Sequence, residues 1–141
     1  MKVELERLNN DYLFEVINSN GHRVLLDNKS KTEGSVKGIS PMELLLMGVA
    51  GCSSIDVVAI LNKQKINPTS IKMEVVGQRP ENAVPALFNT ITVKVLLEGD
   101  FSADKAKRAV ALSFDKYCSV SKTLEHTAAI NYEIYLNGEK V

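Results

Sequence analysis

Residues Lys2 to Leu8 alternate between charged and apolar side chains, Asn9-Asn10 reads as a turn, and Tyr12 to Ile17 is rich in aromatic and β-branched residues. A period of two predicts strands with one wet face. Asn20-Gly21 stands between the second run and a third, Arg23 to Leu26. Asn-Gly favours the positive φ angles of a type I′ turn, so a hairpin is expected there. Asp27 to Ile39 is polar, contains Gly34 and Gly38, and reads as a mobile loop.

The pattern then changes to helical. Ser40 can cap, Pro41 suits the first helical position, and Glu43 falls three after the cap, which makes a capping box. The helix is expected to run to about Lys65, before Asn67-Pro68, a length of about 37 Å at 1.5 Å per residue. Leu44, Leu45, Met47, Val49, Ile55 and Val58 are among the apolar residues that cover nearly its whole circumference. A helix apolar on every side is buried on every side, and one small sheet cannot cover it, so a second subunit is the expected source of the missing surface.

Two alternating runs follow, Ile71-Met73-Val75 and Ile91-Val93-Val95-Leu97, joined by a long link with Pro80 and Pro85. Ser102 to Tyr117 has helical spacing at Ala106, Ala109, Val110, Phe114 and Tyr117, and a last strand runs from Ala128 to Leu136 before Asn137-Gly138. The order βββ-α-ββ-α-β predicts one α+β domain over residues 1–141. Antiparallel strands packed beside a long buried helix, with a second subunit covering the rest of it, are the arrangement that this order and pattern lead to.

Composition narrows the function. The 141 residues are 45% hydrophobic and 24% charged, ordinary for a globular domain. Seventeen basic and seventeen acidic side chains cancel, so no field draws the chain to nucleic acid or an anionic membrane. The N-terminus has no apolar core of a signal peptide, and Asp56 interrupts the most apolar stretch, so a cytoplasmic location without a membrane span is expected. In that reducing setting Cys52 and Cys118 are expected to be thiols or a transient redox pair.

Cys52 lies mid-helix in Ala50-Gly51-Cys52-Ser53-Ser54, three turns from the helix N-terminus and beyond the reach of its dipole. From its position alone such a cysteine reads first as a small core hydrophobe. Gly51 costs the helix about 1 kcal/mol relative to alanine, which hints at close packing. Asp56 falls on the face of Cys52, where a carboxylate opposes thiolate formation. A reactive Cys52 therefore needs a cation from elsewhere, and Arg23, Lys31, Lys37 and Arg79 are the candidates. Cys118 precedes Ser119, a candidate cap for a short helix to about Leu124 whose free N–H groups favour a thiolate; packing at a helix junction fits it as well. Cys52, Cys118, His22 and His126 lack ligand spacing, so no metal is expected, and no motif calls for a cofactor.

The string Ser40-Pro41-Met42-Glu43-Leu44-Leu45-Leu46-Met47 through Gly51-Cys52-Ser53-Ser54-Ile55-Asp56-Val57-Val58 resembles the central helix of the OsmC/Ohr family. Lys116-Tyr117-Cys118-Ser119-Val120-Ser121 resembles its second-cysteine motif, and the Cys-x-x-x-Asp-Val-Val pattern resembles its YhfA-like branch. The resemblance implies an intertwined homodimer whose antiparallel sheets wrap the long buried central helix, with strands 1–39 contributing to the dimer and 40–141 holding the rest. It also implies interface sites that reduce organic hydroperoxides, Cys52 peroxidatic and Cys118 resolving, at the expense of a dithiol reductant. Family peroxidases hold the thiolate with an Arg–Glu pair, the acidic residue ten positions before the first cysteine. That position is Met42 here, Glu43 is the neighbouring candidate, and no arginine lies between Arg23 and Cys52. Alternatives that the residues accommodate are a non-enzymatic module binding a small apolar ligand at the dimer interface, and a redox sensor.

Overall fold

The computed structural model describes residues 1–28 and 34–141; Lys31, one of the four candidate cations, and part of the expected loop lie outside the described residues. The chain forms two compact units, Met1–Leu45 and Leu46–Val141.

In the first unit, β1 (Val3–Arg7), β2 (Phe14–Asn18) and β3 (Arg23–Leu26) form an antiparallel sheet in that order, as the alternation predicts. The Asn20-Gly21 turn differs from expectation. Ile17 pairs with Arg23, and the Asn18 N–H donates to the His22 carbonyl, which leaves a three-residue loop. Only Gly21 takes a positive φ, +84°, while the Asn18 side chain accepts from the N–H groups of Asn20 and His22. This is the three-residue hairpin that ends in a left-handed glycine. The end of the expected loop is also tied down. Ile39 pairs in parallel with Leu26, and buried Asp27 accepts from the N–H groups of Asn28 and Lys37.

Helix α1 (Pro41–Lys63) starts where its capping box places it. The Ser40 N–H donates to Glu43 Oε2 at 2.8 Å, and Ser40 Oγ accepts from the Met42 N–H at 3.3 Å. It stops at Lys65, which takes φ +61° while the Ile66 N–H reaches back to the Leu61 carbonyl. By length and composition α1 could cross a membrane, but it carries Cys52 and Asp56 and packs as a core helix along one stripe. That stripe, Val49, Ser53, Val57 and Leu61, is fully buried. The opposite stripe of Met47, Gly51, Ile55 and Ala59 stays exposed, Ile55 by 72%. Burial on every side, expected from the sequence, is therefore met on one face within the single chain.

The second unit holds β4 (Ser70–Gln78), β5 (Thr90–Glu98), β6 (Ala129–Leu136) and β7 (Glu139–Lys140) in one sheet. β4 runs antiparallel to β5, but β6 pairs parallel to it, so the sheet is mixed rather than antiparallel throughout. Parallel pairing needs a long crossover, and helices between β5 and β6 provide it. Ile91, Val93, Val95 and Leu97 of β5 are buried, the period-two core of this sheet. At the second Asn-Gly, Asn137 and Gly138 both have positive φ, so the two-residue type I′ signature joins β6 to β7.

Candidate functional site

The site is built where the crossover meets α1. The spacing from Ser102 predicts one helix to Tyr117; instead α2 (Ala103–Leu112) gives way to a π-helical turn, Ser113–Tyr117. The Cys118 N–H then donates to the Ser113 carbonyl at 2.8 Å, five residues back. Widening the turn inserts one residue into the period and rotates the following side chains by roughly 100°. Tyr117, inward-facing in a regular helix, is accordingly 49% exposed, and Cys118 takes the inward place with no exposure. Phe114 remains in the core, stacked on Tyr132 at 5.0 Å. Single π turns of this kind recur at functional sites.

Cys118, not Ser119, is the residue at the cap of the next helix, α3 (Ser119–Leu124), and its side chain makes no capping bond. Its sulfur instead accepts a hydrogen bond from the Ser121 hydroxyl at 3.1 Å. Burial pushes the Cys118 thiol up from its ordinary range, Ser121 opposes that, and neighbouring Cys52 adds to it. The buried thiol is thus held toward its protonated form.

Cys52 comes from α1. The Cys52 and Cys118 sulfurs and an Asp56 carboxylate oxygen all lie within 4.8 Å of one another. Cys52 is half-buried, so of the two thiols it is the one solvent reaches. Ser53 Oγ donates to the Val49 carbonyl at 2.7 Å and lies 3.2 Å from the Met73 sulfur on β4. Ser113 Oγ stands 3.4 Å from the Ser53 carbonyl and 3.5 Å from Asp56 Oδ2, so its one proton serves one or the other. The Val120 side chain on α3 lies within 3.5 Å of where a Gly48 side chain would begin. Backbone and side chains thus tie α1 to both sides of Cys118.

Two of the four sequence candidates for metal ligation come together, and Asp56 joins them; a search by ligand spacing missed the group because its members lie sixty-six positions apart. The i, i+4 relation of Cys52 and Asp56 was the one signal available. Both candidate arginines have other partners. Arg23 pairs with Glu15 on the exposed first sheet. Arg79 donates to the Ala86 carbonyl at 2.7 Å and lies over the Phe88 ring. Lys37 is exposed on the segment before α1, its backbone N–H bound to Asp27. Glu43 accepts from the Ser40 N–H at the helix start.

A two-sulfur, one-carboxylate group held between a long central helix and a π-turn crossover defines an α+β protein with a paired-thiol site. The OsmC family model, described as OsmC-like protein, matches residues 32–133, and the chain belongs to that family. It is 40% identical over 119 residues to Protein YhfA of Escherichia coli (strain K12), a match covering 82% of this chain and 85% of YhfA. The solved OsmC-like protein from Mycoplasma pneumoniae superposes with a TM-score of 0.82 at 21% identity, covering 96% of this chain and 95% of that one. An organic hydroperoxide resistance protein from Elizabethkingia anophelis has the same fold, with a TM-score of 0.74 at 11% identity over 97% of both chains.

Proposed function

We propose that the protein reduces organic hydroperoxides with Cys52 as the attacking thiol and Cys118 as the resolving one. The observation that carries this reading is the pairing of an accessible sulfur with a fully buried one inside 4.8 Å. The Cys52 thiolate attacks the O–O bond, the distal oxygen becomes a sulfenic acid, and the departing alkoxide takes a proton to leave as alcohol. Cys118 condenses with the sulfenic acid, releasing water and forming a disulfide, and a dithiol reductant returns both thiols by exchange while itself becoming a disulfide. Family membership and structural neighbours described as organic hydroperoxide resistance proteins support the reading. Glu43 keeps a capping role at the entry of α1 and, through it, sets the start of the helix that carries Cys52.

The test is thiol loss on titrating the reduced protein with tert-butyl hydroperoxide, followed by peptide mapping. The expected product is a Cys52–Cys118 disulfide, formed much faster than a free thiol reacts and absent in Cys52→Ser. Reaction no faster than that of a free thiol overturns the proposal. A second reading, a module that binds a small apolar molecule, is favoured by a cavity of about 410 Å³ in the first unit whose lining includes Leu5, Phe14, Leu26 and Met42 together with the polar Asp27 and Asn28. Copurified ligand in native mass spectra, together with a slow peroxide reaction, would select it.

The working unit in this proposal is a homodimer. The exposed stripe of α1 is apolar, and a side chain added at Gly51 meets nothing within 4 Å in its own chain. A mid-helix glycine that costs stability and is unused internally fits close approach by a second copy. Ile55→Asp is expected to turn a dimer into a monomer in sedimentation equilibrium, because it buries an unpaired charge in the interface. A wild-type protein that sediments as a monomer at all concentrations would refute this part.

A further inference from the structure

We propose that Cys52, Cys118 and Asp56 form a binding site for a thiophilic divalent cation of the zinc type, with the fourth coordination position left to water or an exogenous ligand. The three ligand atoms come from two elements, α1 and the junction after the π turn, and lie within 4.8 Å of one another. Zn–S bonds of about 2.3 Å and Zn–O bonds of about 2.0–2.2 Å put tetrahedral ligands roughly 3.4–3.8 Å apart. Closing from a spacing of at most 4.8 Å therefore takes no more than about 1–1.4 Å per pair.

The surroundings suit ligands of this kind. Two thiols and a carboxylate become three negative charges when they ligate, and their ligand atoms already lie within 4.8 Å of one another. A divalent cation offsets that negative charge and takes the place of the thiol protons on ligation. The outer contacts point the same way. Ser121 donates to the Cys118 sulfur at 3.1 Å, and Ser113 stands 3.5 Å from Asp56 Oδ2. Hydroxyls bound to the ligand atoms orient ligands and tune them in metal sites. Soft sulfur donors select zinc-type ions over magnesium or calcium.

This site does not depend on peroxide chemistry; metal and peroxide simply compete for the same sulfurs. The test is titration of the fully reduced protein with Co²⁺, followed by absorption spectroscopy. Expected are one Co²⁺ per chain, thiolate-to-cobalt charge transfer in the near ultraviolet, and the intense visible bands of four-coordinate cobalt. Cys52→Ser and Cys118→Ser each weaken the charge-transfer band. Asp56→Asn and Asp56→Ala, the second a strong helix former that keeps α1 intact, are expected to weaken Co²⁺ binding by at least about tenfold, the least that even outer-contact losses cost. No charge-transfer band in the reduced wild type overturns the site. Unchanged affinity in both Asp56 variants overturns its three-ligand form. Either result leaves the peroxide titration free to succeed or fail separately.

Discussion

Cys118→Ser is expected to reduce catalytic peroxide removal to about one oxidation per chain while leaving that first oxidation fast. The asymmetry follows from where the two sulfurs sit. In the proposed reaction Cys52, the half-buried one, meets the peroxide, and Cys118, fully buried, held toward its protonated form and within 4.8 Å, meets the sulfenic acid once it forms. Without Cys118 the sulfenic acid at Cys52 has no adjacent thiol, and it persists until excess peroxide drives it further up the oxidation ladder. Mass spectrometry after one equivalent of tert-butyl hydroperoxide should show Cys52 sulfenic acid in Cys118→Ser and the disulfide in wild type. Steady turnover by Cys118→Ser at the wild-type rate, with the same dithiol reductant, would show that resolution does not pass through Cys118.

The second large effect is on stability. Gly38→Ala is expected to lower the free energy of unfolding by about 1–3 kcal/mol, seen as a lower urea midpoint with an unchanged slope. A side chain at Gly38 would begin 2.7 Å from the carbonyl carbon and oxygen of Leu25 and 2.8 Å from the Leu26 carbonyl carbon. Those are backbone atoms of β3, which is held on its other side by β2, so no side-chain rotation relieves the clash. The segment must move away from β3 instead. That movement breaks the bonds from the Ile39 N–H to the Leu25 carbonyl and from the Asp27 N–H to the Ile39 carbonyl, both 3.0 Å. Asp27, buried and bound to the Lys37 N–H, would lose a partner at the same time. An unchanged midpoint in Gly38→Ala would mean that this strand–segment contact is looser than its geometry.

Much of the fold was legible because its signals are local. The Ser40–Glu43 capping box and the stop before Asn67-Pro68 place α1 within two residues of its observed ends. The alternation of Ile91, Val93, Val95 and Leu97 marks the buried face of β5. Strand direction was not legible, since alternation reads the same in parallel and antiparallel pairs and only the crossover through α2 and α3 makes β6 parallel to β5. The turn type at Asn20-Gly21 also escaped: the dipeptide marks a turn, but the register Ile17 to Arg23 makes the loop three residues long.

By itself the sequence determined most of the elements, the family and the two cysteines, because caps, periodicity and motif spacing are written within a few residues. Tertiary structure decided which of those residues share a site. A helical period of 3.6 assigns the inward place to Tyr117, but the π turn adds one residue and gives that place to Cys118. The same turn and the parallel crossover bring Cys118 to a helix sixty-six positions earlier in the chain, beside Cys52 and Asp56. Such a meeting depends on how helices and sheet pack around one core, a cooperative outcome that no local stretch of residues encodes.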